Sequence, residues 1–100
     1  MKSITVIELA KLIKNKNYFQ LIDVRQPEEH DEFNIGGKLI PLGEIVQYLQ
    51  KISTNKPVII YCRKGIRSQI AIQRLQEKFK FVNLINLIGG TDAWKKEFEI

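Results

Sequence analysis

Apolar residues along the chain change period several times, and each change marks an element. Ile7, Leu9, Leu12 and Ile13 recur at helical spacing behind Thr5-Val6-Ile7-Glu8, where the Thr5 hydroxyl and Glu8 form a capping box. A first helix is predicted to about Ile13 or Lys14. After the polar turn Asn15-Lys16-Asn17, the run Phe19 to Val24 is rich in apolar and β-branched residues and predicts a strand. Pro27 suits a helix start, so Pro27 to Phe33 predicts a short acidic helix, broken at Gly36-Gly37. Lys38-Leu39-Ile40 is a brief strand ended by Pro41, and Ile45, Val46, Leu49 and Ile52 share one face of a helix predicted over Gly43 to Ile52.

Past the turn at Ser53-Thr54-Asn55, Val58-Ile59-Ile60-Tyr61 is a continuous apolar run, the pattern of a strand covered on both faces. It delivers Cys62 at its carboxyl end. Ser68 is placed to cap a helix from about Gln69 to Phe79, on which Ile70, Ile72, Leu75 and Phe79 are apolar. Leu84 to Leu87 reads as a last strand, Gly89-Gly90 as a turn, and Thr91 to Glu97 as a closing helix. Strands alternating with helices predict an α/β domain with a mostly parallel sheet and helices on both faces. Such sheets bind ligands at the carboxyl ends of their strands, where Cys62 falls.

Composition narrows the partners. One hundred residues make one domain, with no room for a second core. Sixteen Lys and Arg against eleven Asp and Glu leave a net charge of +5, which favours anionic partners. The single cysteine excludes an intrachain disulfide, and one Cys with one His excludes a four-ligand zinc site of those residues. Met1 to Thr5 holds no apolar run of signal-peptide length, and no stretch approaches the roughly 20 apolar residues of a membrane span, so a cytoplasmic chain is expected.

The chemistry concentrates in Cys62-Arg63-Lys64-Gly65-Ile66-Arg67-Ser68, three of whose residues are cationic. A nucleophilic cysteine works as its thiolate, which nearby cations and a helix N-terminus favour. Gly65 permits a tight turn in which backbone N–H groups converge on the sulfur and on an anion beside it. Cysteine phosphatases resemble this arrangement but place an Arg six residues after the Cys. Here that position is Ser68, and Arg67 comes one place early. The shorter loop makes a smaller bowl, matched to one sulfur atom better than to a phosphoryl group, which favours sulfur transfer over phosphatase or arsenate reductase chemistry.

Four segments together resemble the rhodanese family of sulfurtransferases: Leu21-Ile22-Asp23-Val24-Arg25 with Pro27-Glu28-Glu29, Asn34 through Leu42, Cys62 through Ser68, and Leu87-Ile88-Gly89-Gly90 followed by Ala93-Trp94. The resemblance spans nearly the whole chain and implies one rhodanese-like domain over residues 1–100, with a five-stranded parallel sheet flanked by helices. It implies that Cys62 carries a persulfide and that Arg63, Lys64, Gly65, Ile66, Arg67 and Ser68 bind the sulfur and an anionic donor such as thiosulfate. Acceptors would be cyanide, a thiol or a protein, and the chemistry requires no cofactor, metal or general base. Asp23 and Arg25 are expected to support the site, Arg25 by pairing with a carboxylate near the loop or by facing the pocket mouth. Many members have a His before an Ile-x-Gly-Ala motif, where this chain has Asn34-Ile35-Gly36-Gly37. That variant looks similar to rhodanese domains appended to enzymes that activate ubiquitin-like sulfur carriers, which points to a protein acceptor. The competing reading is a sulfur-carrier or docking module that does not turn over alone.

The remaining candidates read as structural. His30, within Glu28-Glu29-His30-Asp31-Glu32, is expected to be an exposed helix residue, and carboxylates on so short a helix point apart rather than gather a metal. Trp94 is expected in the core or covering the sheet. The lysines are scattered and accompany no recognition motif, so neither nucleic acid nor membrane is expected as a partner. Oligomeric state is not encoded in any of these patterns.

Overall fold

The computed structural model spans residues 1–100 and builds one five-stranded sheet in the order β1-β5-β4-β2-β3, with every adjacent pair parallel. The strands are β1 (Lys2–Ile4), β2 (Gln20–Asp23), β3 (Lys38–Leu39), β4 (Val58–Tyr61) and β5 (Leu84–Leu87); the helices are α1 (Val6–Lys14), α2 (Pro27–Glu32), α3 (Ile66–Lys78) and α4 (Gly90–Phe98). Central β4 is buried throughout, and its side chains alternate between two cores. Val58 and Ile60 face α3 with Ala71, Ile72 and Leu75, whereas Ile59 and Tyr61 face α1 and α4 with Val6, Leu9, Ala93 and Trp94. Cys62 continues the first set and is itself part of the α3-side core.

One strand was not predicted, and two predicted helices differ. β1 escapes the apolar pattern because it is an edge strand of three residues, only one of them buried; it exists through its ladder to β5, Lys2 opposite Ile85 and Ile4 opposite Leu87. The helix predicted over Gly43 to Ile52 is instead two 3-10 turns, Leu42–Glu44 and Leu49–Lys51, linked by further bonds between residues three apart. Burial of Ile45 and Ile52 against the sheet holds this segment, and its β-branched residues and Gly43 add little helix propensity of their own. α3 begins at Ile66, three residues ahead of the expected start, with Gly65 as its N-cap in the left-handed region at φ 93°. Thr5 caps α1 as its sequence predicts: its side chain accepts from the Glu8 N–H while Glu8 accepts from the Thr5 N–H. No helix is long and apolar enough to cross a membrane.

Candidate functional site

The early start of α3 follows from where its first N–H groups go. Ser68 does not cap the helix; it is buried in the first turn, and its N–H donates to Cys62 Sγ at 3.4 Å. The Gly65 N–H donates to the same sulfur at 3.1 Å. Sγ therefore accepts at a helix N-terminus where a Ser or Asp oxygen ordinarily would. The Ser68 hydroxyl lies 3.5 Å from Sγ and donates to Asn86 Oδ1, so β5 braces the loop from below. Cys62 is 1% exposed, at the floor of a depression of about 220 Å3 lined by Cys62, Arg63, Lys64, Ile66 and Arg67. Ile66 is exposed at its rim. Gly65 and Ser68 form the cradle beneath rather than the walls.

Of the three loop cations, two are already paired. Arg67 lies on α3 and makes a bidentate ion pair with Glu29 of α2, Nη1 to Oε1 at 2.7 Å and Nη2 to Oε2 at 2.9 Å. The hydrogen bond from Arg67 holds the Glu29 carboxyl down at about 2, and the same bond holds the guanidinium above its ordinary value. Arg63 is exposed and reaches Asp92 of α4 at 3.2 Å. Lys64 is exposed and has no ion-pair partner.

Asp23 and Arg25 sit under this surface. Asp23 is fully buried at the end of β2, accepting from Arg25 Nε at 3.0 Å, Arg25 Nη2 at 2.8 Å and the Arg25 backbone N–H at 2.9 Å. Arg25 also donates to the Phe33 carbonyl at 2.6 Å, just past the end of α2. Burial alone would lower Arg25; the hydrogen bond and charge of Asp23 outweigh it and hold it above its ordinary value. The carboxylate that pairs with Arg25 is thus Asp23, two residues away. His30 corrects its expectation of exposure: Nδ1 is 2.8 Å from Asp23 Oδ2, which fastens α2 to the strand end. Beside them, burial and then the charge of Asp23 push the Tyr61 hydroxyl up to about 12. It stays protonated, donating to the Gly36 carbonyl and accepting from the Ile35 N–H.

Several residues that shape the loop carried no functional assignment in the sequence. Asn86 was a polar residue within an apolar strand, a signal that it has a buried partner. Gly89-Gly90 read only as a turn, yet the segment locks the far wall: the Thr91 N–H donates to the Cys62 carbonyl at 2.9 Å and the Asp92 N–H to the Arg63 carbonyl at 3.0 Å. A Cβ on Gly90, which has φ +55°, would stand 2.1 Å from the Cys62 carbonyl oxygen. Gly90→Ala is therefore expected to cost about 2–3 kcal/mol in urea unfolding. Unchanged stability would show that the two segments are not held together as closely as this.

Glu29 makes stability depend on acid. Its carboxyl falls from an ordinary 4.5 to about 2 on folding, so its contribution is complete above about pH 4.5 and lost as pH falls through about 2. Urea unfolding of the wild type and Glu29→Gln is expected to differ most near neutral pH and to converge at the acid end of that window. A constant gap would assign the difference to something other than this carboxylate.

Comparison with known proteins agrees with the fold. The family model for the rhodanese-like domain matches residues 5–97. The thiosulfate sulfurtransferase GlpE of Coxiella burnetii is 34% identical over 95 residues, covering 94% of this chain and 87% of that protein. The adenylyltransferase and sulfurtransferase MOCS3 of Drosophila ananassae is 38% identical over 82 residues, which are 74% of this chain but 18% of that protein. The crystal structure of a rhodanese-like domain protein from Staphylococcus aureus superposes with a TM-score of 0.84 at 33% identity, covering 94% of this chain and 91% of that one. The chain thus belongs to the rhodanese-like domain family of sulfurtransferases.

Proposed function

We propose that this chain, as one cytoplasmic domain, moves a sulfane sulfur from a small anionic donor such as thiosulfate to cyanide, a thiol or a protein, through a persulfide on Cys62. The observation that carries this reading is the pair of N–H groups, from Gly65 and Ser68, aimed at one sulfur on the floor of a cationic depression. In the first half-reaction the Cys62 thiolate attacks the outer sulfur of thiosulfate. A bond forms between Sγ and that sulfur, the donor S–S bond breaks, and sulfite leaves with the electron pair. In the second, the acceptor attacks the outer persulfide sulfur, takes it as thiocyanate or a new persulfide, and returns the thiolate. This is covalent catalysis with ping-pong kinetics.

Loop N–H groups stabilise charge on the persulfide, while Arg63, Lys64 and Arg67 draw in and orient the donor; Asp23 and Arg25 hold the platform. The likeness to the adenylyltransferase and sulfurtransferase MOCS3 supports the sulfur-transfer reading. The test combines intact mass after incubation with thiosulfate and steady-state thiocyanate formation with cyanide. One added sulfur atom, discharged by cyanide with turnover, supports the enzyme. A persulfide that forms but discharges only to a protein partner identifies a carrier module. Hydrolysis of an aryl phosphate with no sulfur adduct would replace the reading with a phosphatase.

A further inference from the structure

The charges around the Cys62 depression are more nearly balanced than its loop suggests. Arg67 presents both terminal nitrogens to Glu29, and Arg63 reaches Asp92, each acid contributed by a helix outside the loop. Glu29 is itself locked in place: its Oε1 also accepts the Gln26 N–H at 3.0 Å, closing a capping box at the start of α2. Lys64 alone has no carboxylate. An incoming donor therefore meets two acidic groups just behind the cations that attract it, and each added negative charge on the donor is repelled by both.

Taking the sulfurtransferase reading above as its basis, we infer that Glu29 is a specificity-determining residue. By cancelling the charge of Arg67 at the thiol pocket, it makes the site favour singly charged sulfane donors, of the persulfide or thiosulfonate class, over doubly charged thiosulfate. Arg67 remains in reach as an oriented hydrogen-bond donor through the rest of its guanidinium, so pairing removes attraction without removing geometry. A paired acid close to the pocket acts on the donor's net charge, and the effect falls with ionic strength.

Two donors isolate that charge. Thiosulfate and methanethiosulfonate both yield their terminal sulfur to a thiolate by cleavage of one S–S bond, releasing sulfite or methanesulfinate, and they differ by one negative charge. The ratio of kcat/KM for thiosulfate to that for methanethiosulfonate, with cyanide as acceptor, is measured for the wild type, Glu29→Gln and Asp92→Asn at low and high salt. Glu29→Gln is expected to raise this ratio about three- to tenfold, mainly through a lower KM for thiosulfate, with a smaller rise for exposed Asp92→Asn and a narrowing of both in salt. An unchanged ratio, or an equal loss with both donors, would reduce Glu29 to a structural support for Arg67 and overturn the inference. Should Glu29→Gln fold poorly, Asp92→Asn decides on the same ratio. Wild-type protein that takes sulfur from neither donor refutes the sulfurtransferase reading itself, an outcome distinct from a ratio that fails to move.

Discussion

Cys62→Ser is expected to fold as the wild type does and to lose sulfur transfer by at least roughly a thousandfold. The fold is retained because a serine oxygen at the same place can accept from the Gly65 and Ser68 N–H groups that now meet Sγ, at 3.1 and 3.4 Å. The α3 N-terminus stays capped. Activity is lost because a serine hydroxyl is scarcely ionised near neutral pH and cannot hold a sulfane sulfur as a stable perthiolate. Thiocyanate formation and intact mass on the two proteins, with circular dichroism as the control, measure this directly. Substantial transfer by the variant would remove Cys62 from the reaction, since the chain has no second cysteine to take its place.

The largest stability loss is expected at Asp23, which touches no pocket wall. Asp23→Ala leaves the Arg25 guanidinium, 4% exposed, without its carboxylate, and a buried charge stripped of its partner costs about 3–5 kcal/mol. For a domain of this size that lowers Tm by at least about 12 °C. His30 loses its partner at the same time, so α2 is released from the end of β2 and with it the Glu29 that holds Arg67. Asp23→Ala with Arg25→Met is expected to recover part of the loss, because it removes the stranded charge as well. A single variant that unfolds within about 1 kcal/mol of the wild type would mean that water, not Asp23, compensates Arg25.

Much of the domain was legible because it repeats local rules. The uninterrupted Val58 to Tyr61 run has the pattern of a strand covered on both faces, and it is one. Thr5 and Glu8 announce a capping box, and they form one. Elements sustained by partners were harder to read. β1 is a strand because β5 lies beside it, and Ile45 and Ile52 fix the Leu42–Lys51 segment by burial while its backbone settles for 3-10 turns. Ser68 misled for a related reason. A serine ahead of an amphipathic run is normally a cap, but here a sulfur six residues earlier takes the N–H that the helix offers.

The same division runs through the site. The position of Cys62 at the end of a buried strand, the glycine and three cations that follow it, and the four segments shared with the rhodanese family all lie in the order of residues. They determine the chemistry proposed here because strand, turn and thiol are within a few residues of one another. The balance of charge around that thiol was decided only in three dimensions. Glu29 is 38 residues from Arg67 and Asp92 is 29 from Arg63, and no local pattern pairs them. Tertiary packing of α2 and α4 against the loop turns a strip of three cations into a pocket with one uncompensated, because ion pairs depend on distance in space rather than along the chain.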